Sequence, residues 1–140
     1  MLLAVHLLVV SAYAGFQWTV RVLVYPQFAL VPRAGFAAYE RAHQVRTARV
    51  VGPLFAGQAV TTGWLLADRP AGTPLLPVLV AAGLYGALLL VTALVAVPLH
   101  RRLDAGWDTA AHRRLLRADA LRVGLATAGA LVALGLVLAG

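Results

Sequence analysis

Residues 74–98 read PLLPVLVAAGLYGALLLVTALVAVP, an apolar run without one charged side chain. A helix crosses the hydrocarbon core of a bilayer with about 20 such residues, and in lipid only helices and closed barrels satisfy their own backbone groups. This stretch therefore reads as a transmembrane helix. Outward from it, residues 2–24, 48–67 and 119–139 have the same character, which gives four spans. With 61% hydrophobic and 12% charged residues among 140, little chain is left for a soluble domain. The expectation is an all-α, integral membrane four-helix bundle forming one transmembrane domain over residues 1–140.

The links between spans set the topology. Pro70, Gly72 and Pro74 make a tight turn over 68–73 between antiparallel spans two and three, so the order is up-down-up-down. Pro26 and Pro32 are expected to end the first helix, and Pro98 to bend or end the third. Residues 35–47 and 106–118 have helical composition and run into spans two and four, extending those helices beyond the membrane.

Charge orients the bundle. The net charge is +7, and all 12 basic residues are arginines. Arg33, Arg41, Arg46 and Arg49 lie between spans one and two; Arg101, Arg102, Arg113, Arg114 and Arg117 lie between spans three and four. The remaining link has only Arg69, balanced by Asp68. The positive-inside rule makes the arginine-rich loops cytoplasmic and puts both termini outside an inner membrane. The arginines flank spans, so nucleic acid is not an expected partner; the bilayer is. The rich usage of Ala, Leu, Val, Gly and Arg points to a bacterial source. Without cysteine the chain has no disulfide, thiol redox chemistry or thiolate metal site. Residues 2–10 followed by Ala12-Tyr13-Ala14 resemble a cleavable signal, but no basic segment precedes them and the apolar pattern continues through 20–24, which favours a retained span.

An internal repeat is visible. Tyr25-Pro26, Gly35-Phe36 and the arginines 41–49 correspond to Val97-Pro98, Gly106-Trp107 and the arginines 113–122. This describes two parallel helical hairpins.

Polar residues within the spans carry what functional signal there is. At 100° per residue, His6, Tyr13, Gln17 and Arg21 share one sector of span one. His43, Thr47, Gln58, Thr61 and Thr62 share another on helix two, and Tyr85 and Thr92 a third on span three. Polar groups in hydrocarbon are costly, so these stripes should face the bundle interior. One reading is interhelical hydrogen bonding that holds the bundle together, with Arg21 snorkelling; the other is a ligand pocket lined by His6, Tyr13, Gln17, Trp18, Arg21, Gln58, Thr62 and Tyr85. Under the pocket reading, His6→Ala or Gln17→Ala abolishes ligand binding. A second cluster is expected at the cytoplasmic edge: Tyr39, Glu40, His43, His100, Asp119 and Arg122. There Asp119 and Arg122, three apart, form an ion pair or serve a proton relay with Glu40 and His43. No metal site is expected, since the histidines lack i, i+4 pairing and only His43 and His100 lie in comparable places. No cofactor or catalytic residue is assigned. Small residues four apart, Ser11 and Gly15, Gly52 and Ala56, Gly124 and Ala128, permit close helix contact within the bundle, in a homo-oligomer or in a larger membrane complex.

Val97-Pro98-Leu99-His100-Arg101-Arg102-Leu103 and Leu115-Leu116-Arg117-Ala118-Asp119-Ala120-Leu121-Arg122 resemble the C-terminal half of the small four-span proteins that include the anthrone oxygenase-like family. Pro98, His100, Leu103 and Arg122 fit that pattern, whereas Asp119 stands where asparagine is usual. Residues 18–28 and 36–51 are similar to bacterial four-span proteins without an assigned activity. The resemblance implies a bundle that takes an aromatic or quinone-like molecule from the bilayer, with cofactor-independent oxygenation in some members. The contrasting expectation is a non-catalytic accessory subunit of a membrane complex.

Overall fold

Three prolines that ought to break helices are carried inside them: Pro53 sits in regular α-helix, and one shared device admits Pro26 and Pro98. In the computed structural model, which describes residues 1–139, Tyr25 N–H donates to the Val20 carbonyl and Val97 N–H to the Thr92 carbonyl. Each is a bond five residues back, and each closes a π-turn, Val20–Val24 or Thr92–Ala96, directly before Tyr25-Pro26 or Val97-Pro98. A proline lacks the N–H and crowds the carbonyl four back; a widened turn relieves both. The first helix therefore continues through Pro26 to Leu30, six residues past the expected end at 24, and Pro98 does not end the third. The break comes at Val31, held extended at φ −71° and ψ 130° by Pro32 after it. The identical offset from π-turn to proline is a structural counterpart of the repeat seen in the sequence.

Four long helices result: α1 Leu2–Leu30, α2 Arg33–Ala67, α3 Leu75–Leu103 and α4 Thr109–Ala139, each long and apolar enough to cross a membrane. α4 starts later than 106, because Gly106 at φ +135° makes a turn and Asp108 Oδ1 accepts the Ala111 N–H at 2.9 Å. That N-cap supplies a partner for a backbone donor the helix cannot satisfy itself. Arg102 donates to the other oxygen of Asp108 at 2.8 Å. The turn between α2 and α3 uses Gly72 at φ +83°, a conformation that costs glycine nothing.

The helices neighbour one another in chain order, and α1 closes the ring against α4. α1 packs most extensively on α4 and closely on α2, where a methyl placed on Gly57 would stand 3.0 Å from Val9 Cγ1. The α2–α3 seam is the sparsest. At the arginine-rich end, the apolar cluster of Val20, Tyr25, Phe28, Phe36, Leu99, Leu103 and Leu115 closes the bundle. Phe36 meets Trp107 edge-on at 5.0 Å, and Arg33 lies 4.1 Å over the Trp107 ring. At the opposite end Leu65, Val78 and Leu136 make a smaller core.

Candidate functional site

The first helix shows how the polar groups come together. Its buried positions run 6, 10, 13, 14, 17 and 20, the spacing of a regular helix face, and then step by five to Tyr25 at the π-turn. The widened turn rotates Tyr25 back into the bundle, where its hydroxyl lies 3.0 Å from His100 Nε2 on α3. His100 Nδ1 is 2.5 Å from Glu40 Oε1 on α2, a completely buried carboxylate. A carboxylate only accepts, so Nδ1 carries the proton, and in the neutral imidazole Nε2 accepts from the Tyr25 phenol. Gln44, one turn beyond Glu40, donates to Glu40 Oε1 at 3.2 Å and to Asp104 Oδ1 at 2.7 Å. Carboxylate, imidazole and phenol thus form a line across three helices.

A second buried group continues it. Arg122 on α4 donates to the Tyr13 hydroxyl at 3.2 Å, Tyr13 donates to Gln17 Oε1 at 2.9 Å, and Gln17 Nε2 donates to Asp119 Oδ1. Asp119 and Arg122 make only a loose ion pair, 4.0 Å apart. The side-chain amide and phenol carry most of the hydrogen bonding expected of that pair. Asp119 lies about 15 Å along α4 from Thr109 and is fully buried.

Between these groups the open α2–α3 seam leaves a cavity of about 220 Å³. Tyr25, His43, Thr47, His100 and Arg122 give it polar walls; Val51, Ala96 and Val97 give apolar ones. The His43 and His100 rings stack on each other in its wall, centroids 5.7 Å apart. Among the described residues neither Arg122 Nε–H nor Glu40 Oε2 has a hydrogen-bond partner. A buried guanidinium that lines a cavity offers its positive charge to an oxygen-bearing group there.

The pocket expected from the spans does not exist as one site. His6, Gln58, Thr62 and Tyr85 surround a void of only about 10 Å³, room for about one water. His6 Nδ1 is 2.9 Å from Thr61 Oγ1, which itself donates to the Gly57 carbonyl, and Tyr85 donates to the Phe55 carbonyl at 2.9 Å. The His6 and Tyr85 bonds are interhelical and hold the bundle together. Tyr13 and Gln17 belong instead to the Asp119–Arg122 network. Trp18 is half exposed and donates to Thr127 on the outer surface, because the residue next to Gln17 on a helix points away from its face. Arg21 is partly buried and donates to the Leu116 carbonyl at 2.6 Å. Of the edge cluster, His43, His100 and Arg122 line the cavity and Glu40 stands behind His100, while Tyr39 is exposed and packs edge-on to Phe28. Tyr25 and Gln44 were missed. The regular 100° wheel fails across the π-turn for the first; for the second, the i, i+4 spacing of Glu40 and Gln44 was an available signal.

Fold and site define a multi-pass α-helical membrane protein with a buried acid–base network beside a cavity. Comparison with family models, curated proteins and solved structures gives no match for the chain.

Proposed function

We propose that the protein binds a lipophilic molecule with an aromatic or quinone-like oxygen-bearing head in the α2–α3 cavity, and that it exchanges a proton with that head. The observation that carries this reading is Arg122, a buried cation that lines the same cavity as His100 and Tyr25. The volume, about 220 Å³, is below the range of about 300–1,000 Å³ usual for whole drug-sized ligands, so it suits a head group whose tail leaves through the seam into lipid. Arg122 receives the oxygen. Glu40 fixes the His100 tautomer, and His100 takes or returns a proton through the Tyr25 hydroxyl. The anthrone oxygenase-like resemblance favours the same ligand class and adds oxidation of the ligand as the catalytic extension. The positive-inside rule places the cavity toward the cytoplasmic face of a bacterial inner membrane.

The test is equilibrium binding of a decyl-chain benzoquinone and its quinol to purified protein. Binding is expected in the wild type and in His6→Ala, with loss in His100→Ala and in Arg122→Gln. Equal binding by wild type and His100→Ala places the ligand elsewhere and defeats the reading.

The accessory-subunit reading has its own support. Ser11, Gly15, Gly52, Ala56 and Gly124 are exposed on the outside of the bundle, and a methyl on Gly15, Gly52 or Gly124 would meet nothing within 4 Å. Such faces admit the close approach of another helix. A stoichiometric protein partner retained through mild solubilisation, together with no quinone binding, favours this reading.

A further inference from the structure

On the far side of α3 from the cavity, a groove of about 550 Å³ runs between α3 and α4. Its walls change character along its length. Val91, Leu94, Val95 and Leu121 make one end apolar, while Arg102, Arg114 and Arg117 gather at the other. Arg102 is engaged by Asp108, but among the described residues neither Arg114 nor Arg117 has a carboxylate partner. Both are exposed, three residues apart on one face of α4, and with Arg113 they line a second cleft of about 300 Å³ that abuts the groove. Leu121 follows Arg117 one turn later on the same face.

We propose that this groove is a binding site for an anionic phospholipid of the surrounding bilayer. Arg114 and Arg117 hold the phosphodiester, and an acyl chain lies along Leu94, Val95 and Leu121. The charge argument is complementarity: two guanidiniums without an internal partner, in forked geometry suited to phosphate oxygens, stand at the end of an apolar trough. A free phosphate has no use for that trough. A neutral lipid fills it and leaves the guanidiniums unpaired. Basic clefts between membrane helices at the headgroup level recognise anionic lipids in this way. The site shares no lining residue with the α2–α3 cavity, so it stands independently of the function proposed there.

The experiment titrates the delipidated full chain in detergent with phosphatidylglycerol or phosphatidylcholine of identical acyl chains, counting bound lipids by native mass spectrometry. The wild type is expected to prefer phosphatidylglycerol by roughly thirty-fold, a several-fold contribution from each of two arginines. Arg114→Gln/Arg117→Gln brings the preference close to unity; both side chains are exposed, so the fold is retained. Arg46→Gln/Arg49→Gln, which removes the same charge from exposed positions on α2, keeps the preference. The proposal is overturned by equal binding of the two lipids to wild type, by an unchanged preference in the Arg114 and Arg117 variant, or by an equal loss in the α2 variant, which would make net charge the cause. Displacement of the lipid by millimolar inorganic phosphate would also overturn it, identifying a free-anion site.

Discussion

His6 and His100 occupy opposite ends of the same bundle, and their surroundings differ in every respect that matters for chemistry. His6 is bonded to a neutral hydroxyl and faces a void of about 10 Å³. His100 is bonded to a buried carboxylate and a phenol, and faces a cavity of about 220 Å³ that also holds a buried arginine. The cause is helix packing. Only a small void is left at His6, whereas the sparse α2–α3 seam holds the larger cavity beside His100. A buried histidine therefore says little by itself. The partner that fixes its tautomer and the space in front of it decide whether it glues helices or meets a ligand.

The difference can be broken most forcefully at the charged end. Arg122→Leu or Asp119→Leu alone leaves an uncompensated buried charge, and each is expected to destabilise the bundle by about 3–5 kcal/mol in chemical denaturation in micelles. The double Leu variant should regain most of that loss; a double variant no more stable than either single one would mean the two charges do not compensate each other. Next in size is Tyr13→Phe, which orphans Gln17 Oε1 and an Arg122 donor and should cost about 1–3 kcal/mol in the same assay. His6→Ala should cost a similar amount or less while leaving ligand retention intact. If it empties the cavity instead, the two histidine sites are coupled and the contrast fails. Tyr25→Phe keeps the ring and its packing, so quinol affinity should fall by about tenfold with little change in stability. The smallest effect belongs to Asp108. The Ala111 N–H, and then the Ala110 N–H and Arg102, hold its carboxyl below its ordinary value of 3.8. Its folded-state value is the lower one, so its cap stabilises fully above pH 3.8 and that stabilisation fades as pH falls through the lowered value. Asp108→Asn should therefore differ from wild type at neutral pH, with the gap closing in strong acid.

Much of this architecture is legible from composition and period. The apolar runs mark four helices, Gly72 and its flanking prolines mark the tight turn, and the sector containing His6, Tyr13 and Gln17 does face inward. What escaped the sequence has specific physical causes. Proline normally stops a helix, but a π-turn before Pro26 and Pro98 carries it through, and nothing in 20–24 or 92–96 announces the extra residue per turn. That step places Tyr25 at His100. A shared polar face also does not reveal depth, so the four polar positions of α1 looked like one pocket when His6 lines a small void, Tyr13 and Gln17 join the Asp119–Arg122 network, and Arg21 binds the Leu116 carbonyl. The inward Trp18 failed for a simpler reason: an aromatic ring suits a ligand, but its position beside Gln17 turns it outward.

The central claim is that the cavity beside His100, and not the polar face near His6, holds a lipophilic ligand. It is tested most directly by native mass spectrometry of wild type, His6→Ala and His100→Ala, each released gently from its own membrane. The account predicts one small aromatic or quinone-like molecule on the wild type and on His6→Ala, and none on His100→Ala. A ligand retained by His100→Ala, or lost from His6→Ala alone, would contradict it.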